Sequence, residues 1–209
     1  GSRIFRRTLG RSLRTRFGFS RPRYSDAVLN EVLTDYCGDI RLRDATTGLM
    51  VCSYDVERRT PVRFHSWKAQ EDPGHDRALW QVARSTIAAP TYFAPMRLTP
   101  PGKHAPGSLI DGGIVAHNPA LLAAIEGATL RPQEPVTIVS LGTGALNKRL
   151  RWEEASTWGA VRWARPMLDM FFDASSSIVQ EQLDRMLGER IHRFQIPLTG
   201  FTERHDAAS

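Results

Sequence analysis

Apolar residues recur along the chain with two periods, one typical of helices and the other typical of strands. A spacing of three or four residues, interrupted at glycine or proline, predicts helical regions at 26–37, 79–88, 118–127, 158–172 and 178–187, with a kink or restart at Pro166. Short apolar runs bounded by turn residues predict strands at 49–55, 61–64, 135–140 and 191–196. A polar or proline- and glycine-rich composition predicts loops at 68–77 and 95–107.

The order of these elements, in which strands alternate with helices, indicates an α/β domain. In such domains a mostly parallel sheet is covered by helices on both faces, and functional groups gather beyond the carboxyl ends of the strands. We therefore expect a three-layer arrangement with a candidate site at one edge of a mostly parallel sheet. The sequence shows no internal repeat and no low-complexity block.

The segment 108–119 carries the most informative polar residue, because Asp111 follows a short apolar run and precedes two glycines. Gly112 and Gly113 permit a tight turn and a close approach of another group to the backbone. Asn118, which precedes a proline, predicts the start of a helix with asparagine as its N-cap. The pattern presents a carboxylate at the end of a strand, where it suits general-base or nucleophile-orienting chemistry. We expect this carboxylate to be partly buried beside a cleft.

Several further segments, in a fixed order around Asp111, resemble the C-terminal two thirds of patatin-like phospholipases. The resemblance runs from about Tyr24 to Leu198, and its motifs are more specific together than any one of them alone. The motifs are Ser53–Arg59 with the second strand Pro61–Phe64, the helix and aromatic loop Val82–Pro95, Asp111 with its glycines, the strand and glycine turn Val136–Gly144, and Arg193–Gln195.

The resemblance implies a patatin-like fold and a lipid acyl hydrolase, either a phospholipase A or an esterase, that uses a dyad of serine and aspartate. In this picture Asp111 is the aspartate of the dyad, and Asp111, Gly112 and Gly113 form the Asp-Gly-Gly motif. No cofactor is implied. The chain is thereby divided into a basic N-terminal segment at 1–23, a partial patatin-like domain at 24–198 and a tail at 199–209.

The sequence lacks the Gly-x-Ser-x-Gly elbow in which the family carries its nucleophile. Ser140, Ser85 and Ser12 each lack one or both of the flanking glycines, and the family's glycine-rich oxyanion loop is also missing. We expect the nucleophile to come from the missing N-terminal part of the same domain or from a separate chain, and this chain alone to be inactive. The alternative is a non-catalytic module that retains the patatin shell for binding lipid or a protein partner.

Two other interpretations of polar residues compete with this one. His117, six residues after Asp111, permits a Ser-His-Asp arrangement, although its place at a helix entrance favours a capping or surface contact. The segment Ser140–Gly144 resembles a phosphate-cradling loop, but it lacks the lysine and the length of a P-loop, so a strand-ending turn is favoured. The remaining histidines lack the paired spacing of metal ligands, and we predict no metal.

The formal net charge of +6 is concentrated at the beginning of the chain. Eight arginines precede the first acidic residue, Asp26; subtracting them from the 28 Lys and Arg leaves 20 basic residues against 22 acidic ones, a net charge of −2. The basic composition is therefore no argument for nucleic acid as a partner, and we predict none. Phe5, Leu9, Leu13 and Phe17 recur among these arginines, which permits an interfacial helix on anionic lipid, but packing or solvated charge is favoured.

The cysteines and the lengths of the apolar stretches indicate where in the cell the protein is located. Cys37 and Cys52 form no Cys-x-x-Cys spacing, and no stretch approaches roughly 18 consecutive apolar residues. We therefore expect a cytoplasmic protein, with peripheral contact at a membrane surface allowed and with a lipid or another acyl ester as substrate. Five aromatic residues at helix-like spacing are expected to pack in a core rather than to dock on lipid, namely Trp152, Trp158, Trp163, Phe171 and Phe172.

Overall fold

The computed structural model describes residue 4 and residues 22–146 and 150–198. These residues fall into two compact units, one that ends at Val115 and one that begins at Ala116. The predicted basic segment 1–23, apart from residues 4, 22 and 23, lies outside the described residues, as does the predicted tail 199–209.

The first unit is built on a four-stranded sheet in which every neighbouring pair is antiparallel. Its strands are β1 (Met50–Asp55), β2 (Thr60–His65), β3 (Met96–Leu98) and β4 (Gly107–Ile110), in the order β2-β1-β4-β3. The expectation of a mostly parallel sheet is therefore wrong for this unit. The physical reason is the short polar turn between β1 and β2, because a connection of a few residues can join only antiparallel neighbours.

The hairpin of β1 and β2 confirms the strands predicted at 49–55 and 61–64, with ends shifted by one residue. Arg59 adopts a φ of +54° in the turn, and the register pairs Met50 with His65. Alternate side chains of the sheet point into one apolar core, which also receives side chains from the surrounding segments. The buried members of this core are Leu42, Val62, Phe64, Ala69, Val82, Leu98 and Leu109.

Among the described residues of this unit, the helices that accompany the sheet are α1 (Asp26–Cys37), α2 (Ser66–Glu71) and α3 (Leu79–Thr86). α1 and α3 confirm two of the predicted helical regions, and α1 ends at Gly38, whose φ of +53° favours glycine. α2 and a 3-10 turn at Pro73–His75 fall in the region predicted as a loop, so that prediction is wrong for most of 68–77. The polar composition is misleading there because α2 buries only Ser66 and Ala69.

Arg84 of α3 is buried and ties this helix to α1 and to the aromatic loop that follows α3. Its Nη2 donates to Asp26 Oδ1 at 2.8 Å and to the Ala94 carbonyl oxygen at 2.9 Å, and its Nε donates to Asn30 Oδ1 at 3.1 Å. Burial lowers the pKa of the Arg84 guanidinium, and the Asp26 carboxylate opposes that effect. A buried charge needs such partners, and this network fixes the end of α3 near the candidate site.

The described part of the second unit contains two parallel strand pairs. β5 (Ile138–Leu141) pairs with β7 (Ile191–Phe194), and β6 (Ala145–Leu146) pairs with β8 (Pro197–Leu198). Its helices are α4 (Ala120–Leu130), α5 (Trp152–Ala155) and α6 (Ala160–Leu187). The core of this unit consists of the buried residues Ala120, Ala124, Ile138 and Leu183. The strands predicted at 135–140 and 191–196 are thus confirmed here. β5 and β7 are parallel, as expected, whereas the sheet of the first unit is antiparallel.

Helix α6 runs through 28 residues, although the sequence predicts two separate helical regions with a kink or restart at Pro166. Pro166 lies inside α6 and lacks the N–H that would bond to the Arg162 carbonyl oxygen, a loss that costs about 3 kcal/mol in a helix interior. Packing offsets this cost further along, where Leu183 is buried and Val179 and Leu187 pack against the core. Full burial of Leu183 contributes roughly 1.5–3 kcal/mol, and partial burial of Val179 and Leu187 adds to it, so the helix continues.

The aromatic residues between 152 and 172 only partly follow the expected core packing. Trp152 is 78% exposed and Phe171 is 64% exposed, so the expectation is wrong for both. Trp158 and Trp163 instead contact each other edge to face, with ring centroids 5.5 Å apart. Helical spacing identifies a stripe of apolar residues, but it does not determine whether another part of the structure covers that stripe.

Asp55, at the end of β1, is a fully buried carboxylate that holds the hairpin turn. It accepts hydrogen bonds from Arg58 Nη1 at 2.6 Å and from the N–H groups of Glu57 and Arg58 at 3.0 and 3.4 Å. Burial by itself would raise the pKa of Asp55. The hydrogen bonds from Arg58, Glu57 and the Ser108 backbone outweigh burial and hold that pKa below its usual value.

We predict that Asp55→Asn lowers the free energy of unfolding by removing a contribution that depends on pH. Because the folded-state pKa is lowered, the contribution of Asp55 is fully present above the unfolded-state pKa of about 3.9 and is lost as the pH falls through the folded-state pKa. Near neutral pH the substitution should lower the free energy of unfolding by about 2 kcal/mol, and the difference from the parent should shrink below about pH 4. Urea unfolding across this range measures it, with the exposed Asp39→Asn as control. A difference independent of pH would contradict the assignment.

Candidate active site

Asp111 lies directly after β4 and before a 3-10 turn at Gly112–Ile114. Its N–H donates to the Ala88 carbonyl oxygen at 3.1 Å, and its Oδ1 accepts a hydrogen bond from the Gly113 N–H at 2.7 Å. The residue is half-buried, in agreement with the expected partial burial, whereas the expected cleft beside it stays a prediction. The hydrogen bond to Gly113 restricts the orientation of the carboxylate at the end of the strand.

Gly112 is buried and leaves no room for a side chain. A Cβ atom at this position would overlap the carbonyl oxygen of Cys52 in β1 and would lie 2.6 Å from Thr86 Oγ1 at the end of α3. The requirement for glycine comes from this close approach and not from the backbone angle, because the φ of Gly112 is not positive. The glycine therefore allows β1, α3 and the Asp111 turn to meet.

Ser53 of β1 is fully buried and supports the strand that precedes Asp111. Its hydroxyl donates to the Ile110 carbonyl oxygen at 2.6 Å and lies 3.4 Å from the Ser85 carbonyl oxygen of α3. Sequence reasoning places Ser53 in a strand and misses this role. The available signal is a small polar residue inside an apolar strand, which needs a hydrogen-bond partner when it is buried.

Three hydroxyl or thiol side chains on the elements around Asp111 are poor candidates for the nucleophile. The Ser53 hydroxyl donates to a backbone carbonyl at 2.6 Å, and the Ser85 hydroxyl donates to a carbonyl of its own helix at 2.8 Å. Burial raises the pKa of the Cys52 thiol, against the opposing effect of Arg63, and a protonated thiol is a weak nucleophile. These three groups therefore offer no activated nucleophile to Asp111.

The residues of the two alternative interpretations, His117 and Ser140, lie in the second unit. The His117 ring stacks on Phe172, with centroids 4.8 Å apart, so it makes a packing contact. Asn118 Oδ1 accepts a hydrogen bond from the Ala120 N–H at 3.2 Å. The N-cap of α4 is Pro119, so the prediction of Asn118 as N-cap is wrong by one residue. Ser140 is a buried residue of β5, in agreement with the favoured strand-ending turn.

The described residues contain neither a cluster of metal ligands nor a helix that could span a membrane. Within 22–146 and 150–198, no three His, Cys, Asp or Glu side chains converge as ligands of a metal ion would. In these same ranges, each helix is either too short or too polar to cross a bilayer. Both cysteines are free thiols.

Comparison with known proteins identifies the group to which this arrangement belongs. A family model described as patatin-like phospholipase matches residues 3–124, a range that includes Asp111 and the elements around it. The chain belongs to the patatin-like phospholipase family. The resemblance carried by the sequence motifs is thereby confirmed, and the antiparallel hairpin and the Asp111 turn are parts of a patatin-like chain.

Three curated relatives illustrate how much of a patatin-like protein this chain represents. Probable inactive patatin-3-Kuras 1 of Solanum tuberosum is 30% identical over 178 residues, which cover 77% of this chain and 48% of the relative. Patatin-like protein 1 of Oryza sativa subsp. indica is 31% identical over 186 residues, which cover 77% of this chain and 45% of the relative. Patatin-15 of Solanum tuberosum is 29% identical over 213 residues, which cover 90% of this chain and 55% of the relative. The chain thus spans about half the length of the curated relatives it matches.

We predict that Gly112→Ala destabilises the first unit by about 2–3 kcal/mol, because the added Cβ must displace the Cys52 carbonyl oxygen or Thr86. Gly48→Ala is the matched control in the same unit, since its Cβ would meet only Trp67 at an ordinary distance of 3.7 Å. Urea unfolding of both variants measures the difference. Equal stability of the two variants would show that Gly112 is not in this close contact.

Proposed function

We propose that this chain supplies the acid of a Ser-Asp dyad in a lipid acyl hydrolase, a phospholipase A or esterase of the patatin-like family. Asp111 is the acid, and Gly112 and Gly113 form the turn that presents it. The observation that carries the proposal is this turn, in which Asp111 Oδ1 accepts the Gly113 N–H, in a chain that belongs to the family. The serine and the oxyanion donors come from outside this sequence, and the chain alone is inactive.

In the proposed reaction Asp111 accepts the proton of the serine hydroxyl while the serine oxygen attacks the carbonyl carbon of the ester. The tetrahedral intermediate collapses, the alcohol leaves with that proton, and the acyl group remains on the serine. Water then attacks the acyl-serine, gives a proton to Asp111, and the fatty acid is released as the serine recovers its proton. The hydrogen bond from Gly113 keeps the carboxylate in one orientation through both half-reactions.

The proposed partners follow from this chemistry. The substrate is a lipid or another acyl ester, and the missing N-terminal part of the same domain carries the nucleophile. The protein acts in the cytoplasm with peripheral contact at a membrane surface, and it uses neither a cofactor nor nucleic acid. The exposed Leu168, Phe171 and Ile178 of α6 support the membrane contact, because large exposed apolar side chains on one helix bind readily at a lipid surface.

A second candidate function is a non-catalytic module that binds lipid or a protein partner through a retained patatin shell. Two observations favour it: one relative carries the name probable inactive patatin, and this sequence contains no Gly-x-Ser-x-Gly elbow. The complete reading frame distinguishes the two functions. An elbow that follows a glycine-rich loop, upstream of Arg3, supports the hydrolase, and a frame that begins near Arg3 supports the module.

We predict that Asp111→Asn abolishes ester hydrolysis by the product of the complete reading frame, because an amide cannot accept the serine proton. The kcat on a short acyl ester should fall at least about 100-fold. Asp39→Asn removes an exposed carboxylate of the same unit and should leave kcat unchanged. Thermal unfolding of both variants controls for folding. Activity retained in a folded Asp111→Asn protein would refute the role of Asp111.

A further inference from the structure

A half-buried arginine of the second unit lies beside the turn that follows β5. Arg193 of β7 is the register partner of Ser140 in β5, and its Nη1 donates to Ser140 Oγ at 2.6 Å. Ser140 is buried, and its hydroxyl lies 3.5 Å from Asn118 Oδ1. A neutral hydroxyl thus holds the guanidinium near the carboxyl end of the parallel pair.

The positive charge of Arg193 has no carboxylate partner among the residues that the structure describes. By contrast, Arg131 pairs with Glu134 at 3.1 Å, and Arg185 pairs with Glu181 at 2.6 Å, both in the same unit. A guanidinium carries five N–H donors, and the bond to the serine hydroxyl uses only one of them. A partly desolvated cation with remaining donors is well suited to receive an anion.

The turn beside Arg193 allows an unusually close approach of other atoms. A Cβ atom on Gly142 would overlap Gln195 Oε1 and would lie 2.9 Å from Arg193 Nη2, so a side chain at this position would displace both groups. Thr143 is exposed, and Gly144 has a φ of +118°, which favours glycine. Glycine turns at the carboxyl ends of parallel strands present backbone N–H groups to a ligand. Here the flexible Gln195 side chain lies against Gly142, and a ligand in the turn takes its place.

From these observations we infer that Arg193 and the turn Gly142–Gly144 form a binding site for a phosphate group. The turn lacks the lysine of a P-loop, and Arg193 supplies a cation from the neighbouring strand. The planar guanidinium matches two phosphate oxygens, and the Thr143 hydroxyl and the N–H groups of Thr143 and Gly144 provide further donors, whereas the Gly142 N–H donates to the Phe194 carbonyl oxygen. The phosphate belongs either to a free phosphate monoester or to the diester headgroup of a glycerophospholipid. The inference does not depend on the proposed hydrolase function.

The test measures binding to the 209-residue chain at constant ionic strength, by calorimetry and by NMR shifts of the Gly142–Gly144 amides. The probes are inorganic phosphate, glycerol 3-phosphate and glycerophosphocholine. We expect saturable binding of the first two. Binding of glycerophosphocholine as well would identify a lipid headgroup as the source, and its rejection would identify a free monoester. Absence of saturable binding for every probe overturns the inference.

Two variants of the site and one control determine whether the binding depends on Arg193. Arg193→Gln should weaken phosphate binding at least about tenfold, as expected for the loss of a charge-assisted pair. Arg190→Gln removes an exposed arginine three residues earlier and should leave the affinity unchanged. Ser140→Ala keeps the charge but removes its anchor, and it should weaken binding about threefold.

Circular dichroism of each variant establishes whether it is folded. Equal phosphate affinity of folded Arg193→Gln and Arg190→Gln overturns the inference. If Arg193→Gln is unfolded, the Ser140→Ala variant decides, and an unchanged affinity in that variant overturns the inference.

Discussion

The absence of a side chain at Gly112 is the constraint on which the candidate site depends. Because no Cβ projects from this residue, the Cys52 carbonyl oxygen and the Thr86 side chain approach the Asp111 turn directly. β1, β4 and the end of α3 therefore meet at one point, where the Ser53 hydroxyl joins β1 to the end of β4. The orientation of the carboxylate is thus a consequence of how three elements pack, and not of the turn sequence alone.

The parts of the fold that could be predicted from the sequence are those set by local patterns. The β1 and β2 strands and helix α3 follow from apolar periodicity and lie within a few residues of their predicted ends. The direction of strand pairing and the cover over apolar faces depend on residues distant in sequence, so periodicity determines neither. The antiparallel sheet of the first unit and the exposure of Phe171 are the resulting errors. The restart that the sequence predicts as the alternative to a kink at Pro166 is a similar error, because burial of side chains elsewhere in α6 stabilises a helix that continues through the proline.

The candidate site was predictable to a similar degree. Asp111 and its glycines stand out in the sequence because a carboxylate between an apolar run and a glycine pair is a local signal. Ser53 and Arg193 belong to motifs of the family resemblance, but the sequence does not indicate which groups they contact. Their roles arise from contacts across strands, the first with the carbonyl of Ile110 and the second with the hydroxyl of the residue opposite it in β5. Sequence reasoning identifies residues with distinctive neighbours in the chain and misses residues whose partners are brought close only by folding.

We propose that this chain contributes an acid to a catalytic pair whose alcohol lies in another part of the protein. Covalent labelling of the product of the complete reading frame with a fluorophosphonate, followed by mass spectrometry of its peptides, tests this most directly. We expect one labelled serine outside this 209-residue sequence, and no labelling once the Asp111 carboxylate is removed. A label on a serine within this sequence, or labelling that persists without that carboxylate, would contradict it.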